Sequence, residues 1–137
     1  QSPSSAASDV YKRQNLDTNN NNEEIVKEFL DLMHIYKLDY TNTFLDLENN
    51  TLDKKIFKNW EEKYKNNKIR KFKNVNPQII PRNHIIEEII NEVYSNNYSQ
   101  LYEFEKLLKK PYEKIDNKKY ITPPLESEKV FETFCGT

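Results

Sequence analysis

The chain has 137 residues, 36% of them hydrophobic and 31% charged, which bounds it at one domain with a thin core. A net charge of -1 gives no electrostatic case for nucleic acid or a membrane surface, and no apolar run is long enough to span a bilayer. One cysteine excludes an internal disulfide framework and fits a reducing compartment.

The opening residues 1–14, Gln1 to Gln14, are Ser/Ala-rich and read unlike the Asn, Lys, Ile and Glu that dominate the rest. The only methionine is Met33, so no initiator opens the chain. These residues look like translated adapter sequence at the front of an environmental assembly. They are expected to be an artefact and are set apart from the fold. Residues 15–22, with Asn19-Asn20-Asn21-Asn22, read as a polar linker.

Residues 23–110 read as helical. Ile25, Phe29, Leu32, Met33 and Tyr36 form one apolar stripe, and Glu23 and Glu24 suit the positive end of a helix dipole. Asp39 is expected to cap a short helix carrying Tyr40, Phe44 and Leu47, which Asn49-Asn50 ends. Thr51 is expected to cap the next, whose stripe is Leu52, Ile56, Trp60 and Tyr64, backed by Phe57. The basic run Lys63 to Lys73 follows.

Asn76-Pro77 and Pro81 impose extended backbone on the residues before each proline. Asn83 is expected to cap a helix bearing Ile85, Ile86, Ile89, Ile90 and Val93. Ser99 is expected to cap another with Leu101, Phe104, Leu107 and Leu108, ended by Pro111. Beyond Tyr112 no period persists, and Pro123-Pro124 marks residues 111–137 as an extended tail. The fold class is all-α with an irregular C-terminal arm.

Several chemistries are excluded by what the chain lacks. Its one glycine is Gly136, so no glycine-rich loop exists to bring backbone N–H groups close to a phosphate. His34, His84 and Cys135 are too few and wrongly spaced for a structural zinc site. Neither histidine has an orienting partner in sequence that would mark it as a general base. Adjacent carboxylates such as Glu87-Glu88 point to different faces of a helix and read as a solvated surface. The run Lys63, Lys65, Lys68, Arg70, Lys71 and Lys73, with Tyr64 and Phe72, invites a phosphate- or nucleic-acid-binding reading, which the near-zero net charge opposes.

Three blocks in order carry a family resemblance. Leu30 to Phe44 is similar to an L-M-x-x-Y-x-x-D-Y-T-x-T-F segment. Trp60 and Tyr64 ahead of Asn76-Pro77-Gln78-Ile79-Ile80-Pro81-Arg82-Asn83 are similar to W…Y…N-P-x-x-[IL]-x-R-N. Pro111-Tyr112, Pro123-Pro124 and Cys135-Gly136-Thr137 complete the set. Together they resemble the C-terminal region of the selenoprotein O (YdiU) family of protein adenylyltransferases. The resemblance implies a parent enzyme of protein-kinase-like fold that transfers AMP from ATP, with Mg2+, to Ser, Thr or Tyr hydroxyls of proteins. ATP, metal and catalytic residues would lie upstream, so no catalytic, cofactor-binding or metal-binding residue is carried onto this chain.

The implied partners are the upstream kinase-like domain and protein substrates, without nucleic acid or membrane. The implied setting is the cytoplasm of a bacterium whose AT-rich genome suits the Asn, Lys and Ile content. Cys135 matches the position third from the end that is selenocysteine or cysteine in the family, and is a redox candidate. Arg82 and Asn83 are candidates for fixing a change of chain direction or anchoring this region to the catalytic domain. The competing class is a free-standing helical interaction module.

Overall fold

Spacing by threes and fours turns the apolar residues of 23–64 inward along three successive helices. The computed structural model of the chain describes residues 5–18, 22–68 and 73–129. Among them are the helices α1 (Ser5–Arg13), α2 (Glu23–Ile35), α3 (Tyr40–Asn49), α4 (Lys54–Tyr64), α5 (Asn83–Tyr94) and α6 (Ser99–Leu108), and no strand. The all-α expectation agrees with this. The chain divides into two units, Gln1–Asn76 and Pro77–Thr137.

In the first unit, α2 and α4 pack along each other around four fully enclosed rings, Phe29, Phe44, Phe57 and Trp60. The Phe29 ring centroid lies 5.2 Å from Phe44, 5.3 Å from Phe57 and 4.7 Å from Trp60. Rings at these separations add attraction beyond the area they bury. Trp60 also stacks on Tyr64 at 4.6 Å, and its Nε1–H donates to the Ile25 carbonyl at 2.8 Å. A large indole is thus buried without leaving its one donor unpaired.

Helix ends follow capping chemistry, with corrections. The Asp39 carboxylate accepts from the Asn42 N–H at 2.9 Å, as its position predicts. Asn50 ends α3 in the left-handed conformation, φ 59°, which asparagine tolerates better than most residues. Thr51 is not the next cap. Its hydroxyl bonds the Asp46 carboxylate at 2.7 Å, and Asp53 caps α4 by accepting from the Lys55 N–H. Tyr36 leaves the expected stripe: α2 stops at Ile35, Tyr36 is its exposed C-cap residue, and the chain turns away at Lys37, φ 51°.

A test of this local accounting is Asp39→Ala. It should cost about 0.5–2 kcal/mol, read as a lower urea midpoint, while Asp39→Asn keeps most of the stability. Equal midpoints for Ala and Asn would remove the cap from the explanation.

Composition sets residues 1–14 apart, yet the structure gives Ser5–Arg13 the helix α1 and lays Val10 and Tyr11 against the first cluster. Arg13 Nε donates to the Asn76 side-chain oxygen at 3.1 Å, and its guanidinium sits over the Phe44 ring at 4.9 Å. Glu48 bonds the same strip of backbone, accepting from the N–H groups of Val75 (2.8 Å) and Asn76 (3.0 Å).

In the second unit, α5 and α6 enclose Ile79, Ile85, Ile89, Phe104, Ile115 and Tyr120. Asn83 is the first residue of α5 rather than its cap. Arg82 holds the cap position in extended backbone, and no side chain there accepts from the helix. Ser99 likewise opens α6, and the Asn97 side chain accepts from the Ser99 N–H at 3.2 Å. The expected extended tail is corrected in its first part. Ile115 and Tyr120 are buried, short 3₁₀ turns form at Lys118–Tyr120 and Glu126–Glu128, and the Gln78 N–H donates to the Pro111 carbonyl. Burial of two large side chains holds residues 111–129 on the helices although they have no period of their own.

Candidate functional site

A concave site in the second unit is a cleft of about 590 Å3 between α5 and residues 118–128. Helix α5 contributes His84, Glu87, Glu88 and Asn91; Glu87 and Glu88, expected on different faces of a solvated helix surface, both border the cleft, because adjacent helical positions are only about 100° apart and the cleft is broad. The irregular segment contributes Lys119, Thr122, Pro123, Leu125 and Glu128. The inward face of α5, with Ile85 and Ile89, and the buried Tyr120 ring hold the two walls in place.

Glu88 is the electrostatic centre of the cleft. Its Oε2 accepts from Lys119 Nζ at 2.7 Å and from Gln100 Nε2 at 3.0 Å. The Lys119 hydrogen bond, then that of Gln100, holds its carboxyl below the usual carboxylate range. Behind it, the Tyr120 hydroxyl donates to Glu103 Oε2 at 2.9 Å. Burial first, and the Glu103 carboxylate second, push the Tyr120 phenol up to about 12.

With Lys119 already engaged by Glu88, the remaining lining carboxylates, Glu87 and Glu128, leave the cleft acidic. Such a lining repels a triphosphate. Among the described residues no group of three or more His, Cys, Asp or Glu is placed to hold a metal ion. Residues fit for ATP and Mg2+ are therefore not found in this site.

The residues singled out from sequence fall in different places. Arg82 is buried at the start of α5, donating its N–H to Ile80 and accepting from the N–H groups of Ile85 and Ile86. Asn83 follows it as the first helical residue. Cys135 lies outside the described residues, as do Arg70, Lys71 and Phe72 of the basic run. Within that run Lys63 pairs with Glu28 at 3.0 Å, and Tyr64 is buried against Trp60. His34 is exposed in the last turn of α2, whereas His84 lines the cleft.

Lys119, Gln100 and Tyr120 were not singled out from sequence. Lys119 and Tyr120 lie in an aperiodic segment, where no spacing marks a partner for Glu88. Among the described residues no helix is long and apolar enough to cross a membrane.

The chain is 35% identical over 133 residues to the protein nucleotidyltransferase YdiU of Bacillus cereus (strain AH187), covering 84% of this chain and 27% of that protein. It is 34% identical over 138 residues to the protein of the same name from Bacillus cereus (strain G9842), covering 88% and 28%. To that of Bacillus anthracis it is 33% identical over 133 residues, covering 84% and 27%. The chain thus spans about a quarter of the length of the curated relatives it matches. No family model matches it, and no solved structure does.

Proposed function

Because the chain belongs to the family of the YdiU protein nucleotidyltransferases, we propose that it is the C-terminal part of a protein adenylyltransferase whose active site lies upstream. That enzyme transfers AMP from ATP to Ser, Thr or Tyr hydroxyls of proteins, in the cytoplasm of a bacterium. The observation that carries the reading is identity of 33–35% running along 84% of this chain but only 27% of the relatives. The acidic cleft and the single glycine, Gly136, support placing ATP and Mg2+ in a kinase-like part of the polypeptide outside these residues. The role left to this chain is structural support of that part, with Arg82 as an anchoring residue.

The alternative of a free-standing interaction module draws on one observation, that each unit encloses its own apolar cluster. The two readings differ in calorimetry and in transfer. The 137-residue chain titrated with ATP and Mg2+ should give no saturable heat. The protein encoded by the reading frame extended upstream should move label from the α-phosphate of ATP onto protein hydroxyls. Saturable micromolar ATP binding by the chain alone, or an upstream frame that closes at once, overturns the proposal.

A further inference from the structure

The two walls of the cleft in the second unit differ in chemistry. On the α5 wall Glu87 and Asn91 stand one helical turn apart, both exposed, and neither side chain has a partner among the described residues. On the other wall Pro123 and Leu125 supply apolar surface, and Leu125 is 66% exposed although it is a large aliphatic side chain. Local structure holds that wall: Pro123-Pro124 restricts its backbone, and Glu128 Oε1 accepts from the Leu125 N–H at 3.1 Å.

Charge sharpens the difference. Three carboxylates, Glu87, Glu88 and Glu128, line the cleft against the one ammonium of Lys119, which with histidine neutral leaves two negative charges uncompensated. Glu88 and Lys119 neutralise each other at 2.7 Å. The surplus therefore sits on Glu87 and Glu128, to either side of the apolar surface.

We propose that the cleft recognises an extended peptide segment of a protein partner, one that carries a Lys or Arg side chain beside an aliphatic one. The cation meets Glu87 and Glu128, and the aliphatic side chain covers Leu125 and Pro123. The Asn91 amide pairs with a peptide group, to which it can give one hydrogen bond and from which it can take another. Complementary charge selects a basic segment over an acidic one. The volume of about 590 Å3 lies within the roughly 300–1,000 Å3 of ligand pockets and far exceeds a bare ammonium. Every residue of the site belongs to the second unit, so the inference is independent of the proposed AMP transfer.

The test is a titration of the isotope-labelled 137-residue chain with acetyl-Leu-Arg-Leu-amide at low salt, followed in the amide resonances of Glu87, Asn91 and Leu125. Saturable shifts with a Kd of about 1 mM or tighter are expected. Glu87→Gln should raise that Kd about three- to fivefold, the size of an exposed ion pair, and leave the response to acetyl-Leu-Gln-Leu-amide unchanged. Leu125→Ser should weaken both peptides. Glu87 and Leu125 are exposed, so each variant should keep the parent's melt, which shows that the fold survives. Equal affinity for acetyl-Leu-Glu-Leu-amide overturns the proposal, because charge then selects nothing. So do equal shifts with spermidine, which mark a site for cations alone, and so does the absence of saturable shifts.

Discussion

Trp60→Ala should remove about 3–5 kcal/mol from the first unit, enough to leave it without a cooperative unfolding transition near room temperature. The indole is fully enclosed and lies within 4.7 Å of the Phe29 ring centroid and 4.6 Å of Tyr64, so its loss opens a void that two helices cannot both close. The substitution also deprives the Ile25 carbonyl of the donor it meets at 2.8 Å. Trp60→Phe separates the two effects. It keeps a ring in the stack and loses the indole N–H, so it should cost less than Trp60→Ala but more than the hydrogen bond alone, about 1 kcal/mol. Urea unfolding followed by far-ultraviolet circular dichroism reads both variants. A midpoint for Trp60→Ala equal to that of the parent chain would mean that the ring cluster does not hold this unit together.

What was legible in the sequence was periodicity. Phe29 and Met33 on one pattern, Phe57, Trp60 and Tyr64 on another, and Ile85 and Ile89 on a third all face inward, because a helix that must bury one stripe leaves that stripe in its spacing. Chain ends of helices were less legible. Thr51 and Asp53 both carry a capping oxygen, and the choice falls to Asp53 because Thr51 is already bonded to Asp46. Residues 111–129 defeated the reading for a different reason. Ile115 and Tyr120 are buried by tertiary contact from an irregular backbone, which imposes no repeat on the residues between them. The cleft shares that fate, since Lys119 is held beside Glu88 by the same irregular segment whose Tyr120 is buried in the core. α1 was missed on composition, although Ala and Ser do not oppose a helix as Gly and Pro do.

The second unit should depend on Tyr120 as the first does on Trp60. The ring is 1% exposed and lies 5.5 Å from Phe104, so Tyr120→Ala should cost about 3–5 kcal/mol and release residues 111–129 from the helices. Tyr120→Phe keeps the ring and loses the hydroxyl that donates to Glu103, at about 1 kcal/mol. The pH dependence gives an independent reading. Burial raises the Tyr120 phenol from 10.0 to about 12, so the folded unit favours its neutral form. That contribution is fully present below pH 10, and it is lost as the pH rises through the folded value of about 12. The parent chain should therefore lose stability over that window more steeply than Tyr120→Phe, which has no phenol to ionise there. Because other tyrosines titrate in the same range, the measurement is the difference between the two alkaline unfolding curves, followed with tyrosinate absorbance. Parallel curves would show that Tyr120 ionises without leaving the core, and the link between its burial and the hold on residues 111–129 would fail.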